Sequence, residues 1–396
     1  MKRIRYIDAM RGISIILVCL GHIFPAVYVE MHPFWQWFNT FEVGIFFAIS
    51  GYVMAVTGTM SMSEKTFPAV GGRIEKITGQ DEAGRVEEPV VRDAACRTDS
   101  FGRYAWKKAA GILWPYLTFS VLAFLVRIVY YIGNGTFTPD LLAIMGKEIL
   151  TGSGIGALWF LPALFLGSLL AYPAIRSRIA GILIVLAAVA LTYLAQPLLT
   201  LVSEINGGNI PRSVGTVCMV LIRSVIAGGI MVTGYAMAPV TERIAGLKRS
   251  ARLAVILGCL AVSVAVMPFA ELDFRPLAFV KAPVLMFVDV LAMLVVLVFF
   301  CRWLESLRDG KTGIFTLLEF FGKNSVIILG THLEWFLVNV LSAGAVAVFG
   351  QISGIDVLYY IRCAFVLALL LLLEYGIIRL INSSAPWLAK WPFRKR

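Results

Sequence analysis

The chain is poor in charge, and its cysteines form no pattern. Only 15% of its 396 residues are Asp, Glu, Lys or Arg, against 59% that are hydrophobic, a balance that excludes an ordinary soluble domain of this length. Of six cysteines, Cys19, Cys218, Cys259, Cys301 and Cys363 fall in apolar runs and Cys96 in a polar stretch, with no CxxC among them. Neither a disulfide framework nor a metal site is implied. The net charge of +11 is not accompanied by a basic and aromatic recognition module, so nucleic acid is not an expected partner. Gly310-Lys311-Thr312 lacks the first glycine of a phosphate loop, whose position is taken by Glu305. No polar stretch is large enough for a separate catalytic domain, so any chemistry must lie in or at a membrane.

Long apolar runs fill the space left by these absences. Stretches of the roughly 20 residues needed to cross a bilayer fall near 10–31, 38–60, 109–132, 156–175, 179–200, 213–237, 253–270, 277–301, 324–347 and 357–381. They predict an all-α, polytopic integral membrane protein of about ten transmembrane helices. The basic N-terminus resembles a signal peptide, but the run behind it lacks a clear cleavage site and carries Arg11 and His22, so it is expected to remain as the first span. With the N-terminus in the cytoplasm, 28 of the 35 basic residues fall on the inside, which predicts that both termini are cytoplasmic. The chain is expected to form one membrane domain over 1–396, in the inner (plasma) membrane. A polar insertion at 61–103, with seven basic and eight acidic residues, interrupts it as a cytoplasmic loop or small insertion.

Polar groups inside apolar spans are costly and need partners or a wet cavity. The first span holds the most informative set. On a helix, the eleven residues from Arg11 to His22 make three turns plus roughly 20°, so the two share a face about 16 Å apart along the axis, with Asp8 about 40° away. Further along, Gly322-Lys323-Asn324-Ser325 opens a helix that reaches His332 and Glu334. The backbone N–H groups at its start suit an anion, with Asn324 or Ser325 as N-cap, and His332 is expected in nearly the same layer as His22. Arg223, Lys281, Asp289 and Glu42 are the other embedded charged groups, and Arg223 with Asp289 is one pairing they allow. Ser50-Gly51 on the second span suits close helix packing, while Trp159 with Pro162 suits an interface anchor and a kink.

Taken together, Tyr6-Ile7-Asp8 with Arg11-Gly12 and His22, Phe46-Phe47 with Ser50-Gly51-Tyr52, Leu158-Trp159-Phe160-Leu161, and Gly322-Lys323-Asn324-Ser325 leading to His332 resemble the acyltransferase-3 family of membrane O-acetyltransferases. The last two motifs are most similar to the branch that contains fucose 4-O-acetylases and exopolysaccharide acetylases. The family also tends to carry an arginine just before a Pro-Tyr pair on the third span. Here Gly111 stands near that position before Pro115-Tyr116, leaving Lys107 and Lys108 one turn earlier.

The resemblance implies an acetyl-CoA donor, a glycan or lipid-linked sugar as acceptor, and no metal. It implies His22 as catalytic base, with Arg11, Arg5, Lys107, Lys108, Asn324 and Ser325 toward the donor. His332, Glu334, Trp159 and Arg223 would face the acceptor or line a pore. Physical chemistry agrees, because a polyanionic donor wants cations at the membrane rim and a hydroxyl nucleophile wants an imidazole. A covalent acetyl-histidine stays open beside direct transfer. So does a different class, a transporter or flippase whose interior charges line a substrate path, although no inverted repeat supports it.

Overall fold

The computed structural model describes residues 4–28, 32–57, 100–204, 212–307, 313–351 and 354–392. The insertion expected at 61–103 lies outside the described residues except for its last four. Among the described residues nine helical stretches are long and apolar enough to cross a membrane, and a bent pair would make a tenth. The expected all-helical membrane architecture is what forms. In the following, the near face is the end of the bundle where the first helix begins and the far face is where it ends.

Helix α1 (Arg5–Val27) lies at the centre. It packs on α3 (Glu42–Val56), α11 (Val284–Ser306), α12 (Gly313–Lys323), α14 (Leu337–Phe349) and α15 (Val357–Ser384). Helix α9 (Arg212–Ala245) is a second hub, holding α3, α7 (Phe160–Ala174) and α8 (Arg178–Glu204). Small residues set both crossings. A side chain on Gly12 would overlap the Leu318 carbonyl and one on Gly322 would overlap the Asp8 carbonyl, so α1 and α12 touch backbone to backbone. Gly51 against Met231 and Gly234 against Ala48 do the same for α3 and α9. Without a hydrophobic drive between helices in lipid, such close approach is what holds them together. The periphery differs: only 17% of the apolar window of the α8 stretch and 11% of that of the α10 stretch (α10, Arg249–Val266) is buried, against 50% for α1.

Three expectations need correction. The ninth span, expected as one helix from 324 to 347, is broken. Helices α12 and α13 (Ser325–Thr331) meet at 67°, and a tight turn through Phe336, which adopts a left-handed φ of 58°, leads into α14. The break is stabilised by Asn324, whose Nδ2 donates to the Phe320 carbonyl at 2.8 Å and whose Oδ1 accepts from Asn382 at 2.9 Å. Lys281 is not inside the eighth span, because that helix starts at Val284; the residue belongs to a hairpin, and its side chain lies outside the described residues. Arg223 and Asp289 do not pair: Asp289 accepts from Thr40, whereas Arg223 donates to the Phe274 carbonyl at 3.3 Å.

The far face carries most of the short elements. Helix α2 (Pro33–Asn39) connects α1 to α3 and is capped by His32, whose Nδ1 accepts from the Trp35 N–H at 3.3 Å. Burial holds the His32 imidazole below the usual histidine pKa, in keeping with a neutral, accepting ring. Helix α6 (Pro139–Thr151) precedes a 3₁₀ turn, Gly156–Trp159, that enters α7. Between α10 and α11, strands β1 (Ala270–Asp273) and β2 (Ala278–Lys281) pair antiparallel with Asp273 opposite Ala278. The hairpin tip turns into the bundle: Phe274 and Leu277 are buried, and Leu277 takes a left-handed φ of 58°.

Candidate active site

One cavity of about 640 Å³ runs beside α1. Arg11, Ile15, Val18, His22 and Pro25 line it from that helix, steps of three and four residues that keep one face toward it along its length. From α3 come Glu42, Phe46 and Ser50 at steps of four. The third wall comes from α4 (Phe101–Lys108) and from the π-helical turn Ala109–Leu113 that joins it to α5 (Trp114–Gly133). These supply Lys107, Lys108, Gly111 and Ile112. A π turn inserts one residue per turn and is often found at functional sites. The break between α12 and α13 adds Lys323, Ser325 and Leu329, and the far end is closed by Trp35, Asn39, Trp159, Asp273 and Arg275.

The near end is basic. Arg11 pairs with Asp8 at 3.5 Å, Lys323 with Glu319, and the Lys108 ammonium sits 5.5 Å over the Tyr104 ring. Arg5 is not part of the cavity wall. Its guanidinium binds Glu319 at 3.0 Å and lies 5.0 Å over Phe315. Asn324 is likewise absent from the wall, being used at the helix break, whereas Ser325 lines it. Gly51 is taken up in packing on α9, while Ser50 one residue earlier faces the cavity with its hydroxyl donating to the Phe46 carbonyl at 2.9 Å.

At mid-depth the rings of His22 and His332 lie 5.4 Å apart, tilted by 35°. His22 faces the cavity and makes no hydrogen bond among the described residues. His332 is fully buried behind it, with Nδ1 2.6 Å from the Ile328 carbonyl. A carbonyl only accepts, so Nδ1 carries the proton and Nε2, which has no partner among the described residues, presents a lone pair.

Glu334 does not line the cavity; it ties the wall together. Its carboxylate accepts from the Ala157 N–H at 2.5 Å and from Arg127 at 3.2 Å, fixing the turn after His332 to the turn that carries Trp159. Gly156, with φ +54°, lies so close that a side chain there would strike the carboxylate. Arg223 also stands outside the cavity, its guanidinium 5.0 Å from the ring of Trp159, which does line it.

Glu42 is more prominent than its sequence position suggested. Its carboxylate packs against Gly21, Oε2 is buried without a hydrogen-bond partner among the described residues, and the residue lines the cavity. Sequence reasoning missed Asp273 and Arg275, which counted only as loop residues. The signal was an Asp-Phe-Arg-Pro turn between apolar stretches, a pattern for a tight turn that says nothing about turning inward. Among the described residues no group of three or more His, Cys, Asp or Glu side chains is arranged to hold a metal ion.

Comparison with known families finds that the acyltransferase domain family matches residues 4–375. No curated protein and no solved structure matches the chain.

Proposed function

The chain belongs to the acyltransferase-3 family, a membrane acyltransferase, and from this premise we propose that it moves an acetyl group from cytoplasmic acetyl-CoA to a sugar hydroxyl. The acceptor is a glycan or its lipid-linked precursor, as in the branch with fucose 4-O-acetylases and exopolysaccharide acetylases, and the protein works in the inner (plasma) membrane with both termini inside. The observation that carries this reading is that a single cavity holds Arg11, Lys107, Lys108 and Lys323 at one end and an unbonded imidazole, His22, at mid-depth.

In this reading the near face is cytoplasmic and its cations meet the donor's phosphates by charge-assisted hydrogen bonds. The thioester reaches His22 along the apolar stripe of α1. His22 takes the proton from the acceptor hydroxyl as its oxygen attacks the acetyl carbonyl. The carbon–sulfur bond breaks as the new ester forms, and the proton on His22 then goes to the thiolate that leaves. His332 orients the acceptor or His22 through its free Nε2. A transporter would also use a cavity beside α1, but it has no need of a basic cluster at one end joined to an imidazole.

The test is acetyl transfer from radiolabelled acetyl-CoA to glycan by membranes containing the protein. His22→Ala leaves the span apolar, so the protein should still insert while transfer falls by at least about a hundredfold, the low end of general-base catalysis. His22→Ala protein that kept wild-type turnover would overturn the mechanism and favour the transporter reading.

A further inference from the structure

The far half of the cavity contains a charged group that the fold does not use. Four buried or half-buried arginines elsewhere in the bundle are matched: Arg127 with Glu334 at 3.2 Å, Arg302 with Glu242 at 2.5 Å, Arg223 with the Phe274 carbonyl at 3.3 Å, and Arg362 with the Gly350 and Ser342 carbonyls at 3.0 Å each. Arg275 lines the cavity from its open, exposed side, and its guanidinium makes no hydrogen bond, ion pair or ring contact among the described residues. It is nonetheless near enough to His22, Glu148 and Glu334 to interact with each electrostatically.

Its placement is built, not incidental. The residues on either side in the hairpin tip are anchors: Phe274 is buried against Trp159, with centroids 6.4 Å apart, and Leu277 is fully buried. Gln196 donates to the Pro276 and Leu277 carbonyls at 2.9 and 3.1 Å, and the Arg275 N–H donates to Asp273 Oδ1 at 3.0 Å. A non-glycine residue held at φ 58° persists only where its surroundings over-determine it. The result is a guanidinium presented on a fixed backbone on the far side of His22, with no hydrogen-bond or ion-pair partner among the described residues.

We propose that Arg275 binds an oxyanion of the acceptor, a carboxylate or a phosphate, so that the protein selects acidic acceptors over neutral ones. The word acceptor rests on the acetyl-transfer reading; the oxyanion site itself does not. A guanidinium fork matches either group with two parallel hydrogen bonds. The hydroxyl side of such a molecule has its own match, because Glu42 brings a buried, unpartnered carboxylate oxygen to the same cavity and Asn39 and Trp35 stand beside it. A carboxylate accepts from hydroxyls and repels anions, so these groups orient the acidic end toward Arg275.

The experiment uses purified full-length protein in lipid nanodiscs. Acetyl transfer is measured with methyl glucoside, methyl glucuronoside and glucose 1-phosphate as acceptors, and binding of radiolabelled glucuronate and inorganic phosphate is measured without donor. At least one acidic acceptor should have a KM about tenfold below the neutral one, and which one separates carboxylate from phosphate. Arg275→Ala should remove that preference and leave kcat/KM for methyl glucoside within about twofold, and Arg275→Lys should recover part of it by keeping the charge without the fork. Equal KM values in the wild type, or an Arg275→Ala loss that is the same for all three acceptors, would overturn the proposal. If no sugar is acetylated, the acetyl-transfer reading fails, and the binding arm alone decides: loss of glucuronate or phosphate binding in Arg275→Ala supports the site, and no binding by the wild type refutes it.

Discussion

The two ends of the cavity are built differently. At the near end the cations Arg11, Lys108 and Lys323 sit on helices, each with a partner, and the floor is two helices locked backbone to backbone through Gly12 and Gly322. At the far end the polar groups come from a hairpin and from the short segment between α1 and α3. Among the described residues, Glu42 Oε2 here has no hydrogen-bond partner and the Arg275 guanidinium none either. One end is a surface of one sign on a rigid base, suited to a polyanion of fixed kind. The other is mixed in sign on short connecting elements, whose sequence can differ without disturbing the long helices, and so suits a substrate that varies. A site that joins a common donor to a particular acceptor needs this asymmetry, with specificity on the short elements and the shared chemistry on the long helices.

The near end is broken most completely at its floor. Gly322→Val would drive a branched side chain into the Asp8 backbone, which cannot swing away as a side chain can. Overpacking costs about 1–3 kcal/mol and occasionally more, and here the upper end applies, so monodisperse protein on size-exclusion chromatography in detergent should be largely lost. Gly111→Ala, in open space in the same cavity wall, should elute like the wild type. If both variants behaved alike, the backbone contact would not be what fixes the near end.

The far end has its own keystone. Glu334→Ala removes the partner of Arg127 and of the Ala157 N–H at once. Breaking a buried pair from one side costs about 3–5 kcal/mol, so the thermal unfolding midpoint in detergent should fall by several degrees. Glu334→Gln, which can still accept from the Ala157 N–H, should fall less. Equal losses would mean that the charge, and not the backbone hydrogen bond, holds the turn.

The smallest effect sharpens the contrast between the ends. Replacing Lys107 and Lys108 by Gln should raise the KM for acetyl-CoA roughly tenfold at low salt, since exposed charge contacts contribute up to about 1 kcal/mol each. The gap between variant and wild type should narrow as salt rises, because screening weakens the same contacts in the wild type. The KM for the sugar should not move. A change in the sugar KM instead would place these lysines in the acceptor's environment.

The long helices were legible because hydrophobic length and period translate directly into a span and a face. Arg11 and His22 line one cavity, and the rings of His22 and His332 meet, because helical spacing is enough to put side chains on a common side and at a common depth. The start of the ninth span at Asn324–Ser325 was legible, but the turn between Thr331 and Leu337 was misread as helix because nothing in that apolar run announces it. At Asn324 itself only the bond from Asn382, far along the chain, was beyond sequence reading. The pairing of Arg223 with Asp289 failed for a similar reason, since Thr40 and the Phe274 carbonyl, both outside the long helices, compete for those groups and win. Arg5 pointed the right way by charge, but Glu319 takes it. Arg275 was invisible as a candidate, since a loop sequence does not say which way the loop folds.

The break between α12 and α13 also bears on how the protein enters the bilayer during synthesis. At 1.5 Å per residue, eleven and seven residues reach about 16 and 10 Å, each well short of a hydrocarbon core of about 30 Å. Neither segment can act as an autonomous insertion signal. Helix α12 also packs directly on α1: the carbonyls of Leu318 and Asp8 leave room for a glycine and nothing larger. Helix α1 must therefore wait, unpaired on one side, for a partner made some three hundred residues later. Through that interval its polar stripe of Asp8, Arg11 and His22 stays without the segment that will cover it, which is a costly state for polar groups in lipid.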